Sequence, residues 1–131
     1  MNMRFWYVIF FIFLFAVACD NVTFSPLVGK WQLKTVEKNG EMILVDTVWY
    51  NFQSISIFSL QIYAPRDDVF TAYEGMRTQD DKIISIKLND ERVVNLSDWN
   101  STVRSFTIET VNRKKLLLRS DEGYLYSFIK F

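Results

Sequence analysis

The stretch Gly29-Lys-Trp-Gln-Leu-Lys-Thr-Val-Glu-Lys-Asn-Gly40 decides the fold. Trp31, Leu33 and Thr35 alternate with Gln32, Lys34 and Val36, the period-2 pattern of a strand with one face in water. A helix would instead return its apolar residues every three or four positions. Asn39-Gly40 then offers two residues that accept positive φ, the strongest short-range signal for a β-hairpin. The segment is read as a strand that turns straight back on the next.

The same grammar runs downstream. Val48, Tyr50 and Phe52 alternate with Trp49, Asn51 and Gln53, and Phe58, Leu60 and Ile62 alternate with Ser59, Gln61 and Tyr63. Pro65 to Asp68 makes a turn. Phe70 to Thr78 is a strand, Asp80-Asp81 a turn, and Ile84, Ile86 and Leu88 mark the inner face of the next strand. Asn89-Asp90 is expected to turn into a strand over Arg92 to Leu96, and Ser97 to Thr102 to be irregular with room for one helical turn. Val103 to Val111, Lys115 to Arg119 and Tyr124 to Phe131 complete the series, separated by turns at Asn112 to Lys114 and Asp121 to Gly123. No stretch holds a 3.6-residue period over three turns. Eight or nine short strands at ~10-residue intervals argue a sandwich or a barrel. Tight hairpins pair sequence neighbours in order, and closure removes the edges an open sheet would expose. The expected fold is therefore all-β: an eight- to nine-stranded antiparallel up-and-down barrel, with an interior wide enough for side chains or one small ligand.

Upstream, Arg4 precedes an uncharged run from Phe5 to Ala18. As a helix this run spans about 21 Å at ~1.5 Å per residue, against ~30 Å for a bilayer core. A charged start, a short apolar centre and small residues at the end form a secretory leader. Ala16-Val17-Ala18-Cys19 resembles the bacterial lipobox, in which small residues precede a lipidated cysteine; Ala16 stands where leucine is preferred. The alternatives are an ordinary signal peptide followed by a chance cysteine, and an uncleaved anchor. The lipobox reading divides the chain into a signal peptide (1–18), a lipidated tether (19–27) and the barrel domain (28–131). Acyl chains on Cys19, palmitate among them, would hold the protein on a membrane, where two chains anchor stably and one does not. Asp20-Asn21-Val22 lacks the acidic run that directs some Bacteroidetes-type lipoproteins to the cell surface. A periplasm-facing position in the bacterial envelope is favoured over the surface.

Fifteen basic and fifteen acidic side chains balance. This leaves no electrostatic footprint for nucleic acid and no basic patch for anionic lipid. There is no histidine, and Cys19 is the single cysteine, so Ser-His-Asp, Cys-His and zinc-ligand arrangements are excluded. The acidic pairs Asp67-Asp68, Asp80-Asp81, Asp90-Glu91 and Asp121-Glu122 fall at predicted turns, where adjacent side chains point apart. They read as solvated turn acids, with a calcium or catalytic site as the alternative. The expectation is a protein that is not an enzyme and needs neither metal nor cofactor.

Gly29-Lys30-Trp31, at the start of the first strand, resembles the lipocalin signature. The wider wording, Leu27 to Leu33 and Leu125 to Phe131, resembles the lipocalin-like lipoproteins of Bacteroidetes-type bacteria over roughly residues 27–131. The resemblance implies a barrel with a binding cavity. It also implies that Trp31, after Gly29, packs across one barrel end beneath an arginine from a late strand, for which Arg119 is the candidate. Tyr50, Phe52, Phe58, Tyr73, Phe106, Tyr126 and Phe128 lie on interior faces, where they form either a packed core or the lining of a ligand cavity with tyrosine hydroxyls as its polar groups. Trp49 and Trp99 are either packed beneath a loop or exposed as partner contacts. The function expected is a lipid-anchored envelope lipoprotein that binds a small apolar ligand. The alternative is a filled barrel serving as a structural or interaction module of an envelope complex. Neither the ligand nor a protein partner is named by the sequence.

Overall fold

Asn39 (φ 53°) and Gly40 (φ 84°) form the turn their sequence predicts, folding β1 (Gly29–Lys38) onto β2 (Glu41–Leu44). The computed structural model describes residues 26–131, so Cys19 and the leader lie outside the described residues. Seven more strands follow: β3 (Val48–Phe52), β4 (Ile57–Ala64), β5 (Val69–Asp80), β6 (Ile83–Leu88), β7 (Val103–Val111), β8 (Lys115–Ser120) and β9 (Leu125–Lys130). From β3 onward each pairs antiparallel with the next, and β9 closes on β1 through pairs such as Leu33↔Phe128 and Val36↔Tyr126. On its other side β1 pairs with β3 over Gly29–Gln32 and with β2 over Thr35–Lys38. The barrel proper is thus eight strands, with β2 an extra tongue on the far half of β1.

Two details depart from the alternation read in the sequence. The β1–β9 register shifts between Leu33 and Thr35, a bulge in which the extra residue advances the side-chain phase by one. Val36 rather than Thr35 then faces the core beside Trp31 and Leu33. The expected strand over Arg92–Leu96 is a turn of helix, α1 (Val93–Leu96). No slot exists for a strand there, because β6 pairs directly with β7. Locally, the Asp90 carboxylate accepts from the Arg92 backbone N–H, and the Ser97 hydroxyl donates to the Val93 carbonyl.

Strand direction fixes the two ends. The chain reaches β1 at the end where Leu27, Trp31 and Phe52 are buried, and β1 runs from there to the mouth. The β6–β7 connection, carrying α1 and Trp99, lies at the mouth. Leu27, placed by the sequence in the tether, already belongs to the core. Among the described residues the nine strands pair among themselves and the core runs from Leu27 to Phe128, so the barrel carries its own closed sheet and its own core. Gly75 shows how closely its wall is built: a Cβ there would stand 2.2 Å from the Lys87 carbonyl oxygen, a backbone atom. We expect Gly75→Ala to lower unfolding free energy by about 1–3 kcal/mol in urea titration. A loss below ~0.5 kcal/mol would mean that β5 and β6 yield more easily than this spacing allows.

Candidate functional site

At the closed end the Trp31 indole is fully buried and donates its Nε1–H to the Leu27 carbonyl at 2.9 Å. The cation over its ring is Lys130, with Nζ 4.6 Å from the centroid, which also donates to the Val28 carbonyl at 2.9 Å. Gly29, at φ +136°, leaves room for this amine; a Cβ there would meet Lys130 Nζ at 2.0 Å. Arg119, expected in that role, lies elsewhere. On β8 the residues Leu116, Leu118 and Ser120 point inward, so Arg119 points outward. It stands near the mouth, bonded to Glu109 at 2.7 Å and to the Gly123 carbonyl at 2.9 Å. A second cation, Arg77, is buried over Phe52 at 5.2 Å and donates to the Ser54 carbonyl. Its burial lowers its pKa from the ordinary arginine value.

The barrel centre is filled. Tyr50 packs on Phe128, Phe58 and Phe106 with ring centroids 4.8, 5.5 and 6.0 Å away. Phe52 lies 5.1 Å from Phe58, and Phe106 lies 5.6 Å from Tyr126. With Tyr73 these are the seven residues considered as cavity lining, and the structure brings them together as packed core. Of the two readings of these aromatics, the packed one describes their geometry. Trp99 completes the packing. It descends from the mouth loop, is buried, and donates its Nε1–H to the Tyr50 hydroxyl at 3.1 Å. Trp49 faces the outer wall, covered by Phe70, Phe131 and Lys30.

Space remains at the mouth, where a pocket of about 250 Å³ opens between β1, the β2 tongue, β4 and the α1 loop. Leu33, Val36, Val48, Leu60, Ile62 and Leu96 give it apolar walls, and Lys38, Thr47, Ser97 and Asp98 its polar positions. Beside it, Arg104 is buried among the rings of Phe106, Tyr126 and Trp99. Its Nη2 donates to the Tyr126 hydroxyl at 2.5 Å, and that hydroxyl donates to Asp98. Asp98 and Glu122 each stand 3.6 Å from the guanidinium. Burial works against the Arg104 charge, but Tyr50, Tyr126 and Asp98 outweigh it and raise its pKa above the ordinary value. Burial, then the Asp98 charge, raises the Tyr50 and Tyr126 hydroxyls above theirs. A hydrogen bond from Ser120 leads the effects that hold Glu122 below the usual carboxylate range. Among the described residues no three Asp, Glu, Cys or His side chains are grouped so as to hold a metal ion.

The sequence reading passed over Arg104 and the acids facing it. The signal was available in the phase of β7, since Arg104 is two positions from Phe106 and shares its inward face. Glu122, read as a solvated turn acid, reaches back to this arginine.

An eight-stranded up-and-down barrel, stopped at one end by the tryptophan of Gly-x-Trp and pocketed at the other, defines a lipocalin-like protein. The chain belongs to the lipocalin-like domain family, whose profile matches residues 13–131. It is similar to a solved lipocalin-like protein from Bacteroides uniformis, with 31% identity and a TM-score of 0.73, over 82% of this chain and 100% of that one. An uncharacterized protein from Bacteroides eggerthii is similar at 27% identity and a TM-score of 0.68, over 79% of this chain and 98% of that one. No functionally curated protein matches.

Two predictions follow from the ends of the barrel. Trp31→Ala should cost about 3–5 kcal/mol and Lys130→Met about 0.5–1 kcal/mol, whereas Arg119→Met should cost under ~0.5 kcal/mol. Equal losses for Lys130 and Arg119 in urea titration would remove Lys130 from its role. At the mouth, Tyr50 and Tyr126 hold their protons more tightly folded than unfolded, so their contribution is complete below pH 10.0, the unfolded value. It is lost as pH rises beyond that value, by up to ~1.4 kcal/mol per pH unit for each proton. Tyr126→Phe should make the alkaline fall in stability shallower by about one proton; an unchanged slope contradicts this.

Proposed function

We propose that the chain is a lipid-anchored, periplasm-facing lipoprotein of the bacterial envelope whose barrel binds a small apolar ligand at its mouth and does no chemistry on it. The observation that carries the ligand is the pocket of about 250 Å³, with eight aliphatic side chains in its walls. This is slightly smaller than the ~300–1,000 Å³ typical of small-molecule sites, so the occupant is compact or a single short chain. Burial of apolar surface supplies its affinity, at about 25 cal/mol per Å².

The anchor rests on Ala16-Val17-Ala18-Cys19 at the end of an apolar leader. The described chain joins the barrel at its closed end, opposite the pocket. Anchored through Cys19, the protein would carry its mouth on the side away from the tether and exchange ligand with the periplasm or a partner there.

One observation favours the second reading, an interaction module. Phe70 and Phe131 are 62% and 68% exposed on the outer wall, flanking Trp49, whose Nε1–H has no partner among the described residues. Such an aromatic surface is the composition of a protein contact.

Two experiments test the leading proposal. Cys19→Ala should move the protein from the membrane to the soluble fraction and abolish labelling by a palmitate analogue; acylation that persists contradicts the anchor. Val48→Trp should fill the pocket and weaken binding of the neutral probe N-phenyl-1-naphthylamine by about tenfold or more while thermal unfolding stays cooperative. Undiminished uptake by a folded variant would place the probe elsewhere and favour the outer surface.

A further inference from the structure

Arg104 is more than the centre of a structural network. A guanidinium carries five N–H donors, and here Nη2 alone has a hydrogen-bond acceptor; Nε and Nη1 are buried with none among the described residues. The side chain is 6% exposed, so these donors do not face water. Asp98 stands off at 3.6 Å from Nη1, and Glu122 at 3.6 Å from Nη2, so neither carboxylate bonds the free donors. Of the two, Asp98 has a double position: it accepts from the Tyr126 hydroxyl beside Arg104, and it also lines the apolar pocket. It is carried on the α1 loop and its side chain is 35% exposed, so it can leave without unpacking a strand.

From this junction we infer that the ligand is an apolar molecule with a carboxylate head, which displaces Asp98 and binds Arg104 and the Tyr126 hydroxyl while its chain lies in the mouth pocket. The inference rests on the apolar-ligand reading above and specifies the ligand's chemical class. One carboxylate replaces another, so the charge facing Arg104 is conserved and Glu122 keeps its place. The incoming group gains what Asp98 lacks at 3.6 Å, a close two-point contact with the guanidinium fork. Asp98 acts as a built-in competitor for its own site. A neutral ligand of the same length would fill the pocket and leave the unbonded donors as they are.

The test is calorimetric titration of the barrel (residues 26–131) with octanoate and with 1-octanol. Octanoate should bind at least about tenfold more tightly than octanol. Arg104→Met should remove that preference. Asp98→Asn, which weakens the competitor, should raise the ratio of octanoate to octanol affinity by about threefold or more. If Arg104→Met does not fold, the Asp98→Asn ratio decides alone. Octanol binding as tightly as octanoate, or an unchanged ratio in Asp98→Asn, overturns the carboxylate inference and leaves the apolar-ligand reading standing. Failure of both ligands to bind overturns both.

Discussion

Closure of the sheet by β1 against β9 is the constraint on which the rest depends. β1 can close the barrel because it serves three neighbours, with β9 along one edge and β3 and β2 in succession along the other. The bulge after Leu33 re-aims its second half so that Val36 still faces inward. Eight strands enclose a narrow interior, and the interdigitated rings from Phe52 to Tyr126 occupy its middle. An apolar pocket is left where the β2 tongue and the α1 loop flank the mouth. Filled centre and pocketed mouth are two results of one geometry.

The ends of the barrel are built from the same parts to different effect. Each has an aromatic ring, a cation and a bond to backbone or hydroxyl. At the closed end Lys130 finds the Val28 carbonyl and Trp31 the Leu27 carbonyl, and both donors are directed at the incoming chain. At the mouth Arg104 keeps two donor nitrogens, Nε and Nη1, without an acceptor, and two carboxylates just out of reach. Buried unpaired donors cost stability, about 1–3 kcal/mol each or more when charged. The Trp31–Lys130 pair at the closed end is satisfied; Arg104 beside the pocket is not.

The strands were legible because their signals are local. Alternation shows in any short window, and Asn39-Gly40 declares its turn without reference to anything distant. What escaped was phase and end. A bulge changes the inward face without changing composition, so Thr35 was credited with the place of Val36. Helix or strand over Arg92–Leu96 turned on whether β6 had already found β7, a tertiary fact. Lys130 could have been preferred to Arg119 by counting inward positions from Tyr126 and Phe128, because Lys130 continues that series and Arg119 falls between Leu118 and Ser120. The pocket was harder to read. Its walls are ordinary aliphatics whose sequence pattern matches that of packed core, and only the loop that keeps Leu96 and Asp98 beside them makes a cavity.

A ligand of this barrel would occupy the mouth and not the aromatic centre. A crystal structure with a bromine-tagged alkyl chain tests it directly, because anomalous scattering locates the bromine independently of any fitted side chain. Binding at the mouth puts the peak among Val48, Ile62 and Leu96, with the rings of Tyr50, Phe58 and Phe106 undisplaced. A peak among those rings, or none anywhere in the barrel, would contradict it.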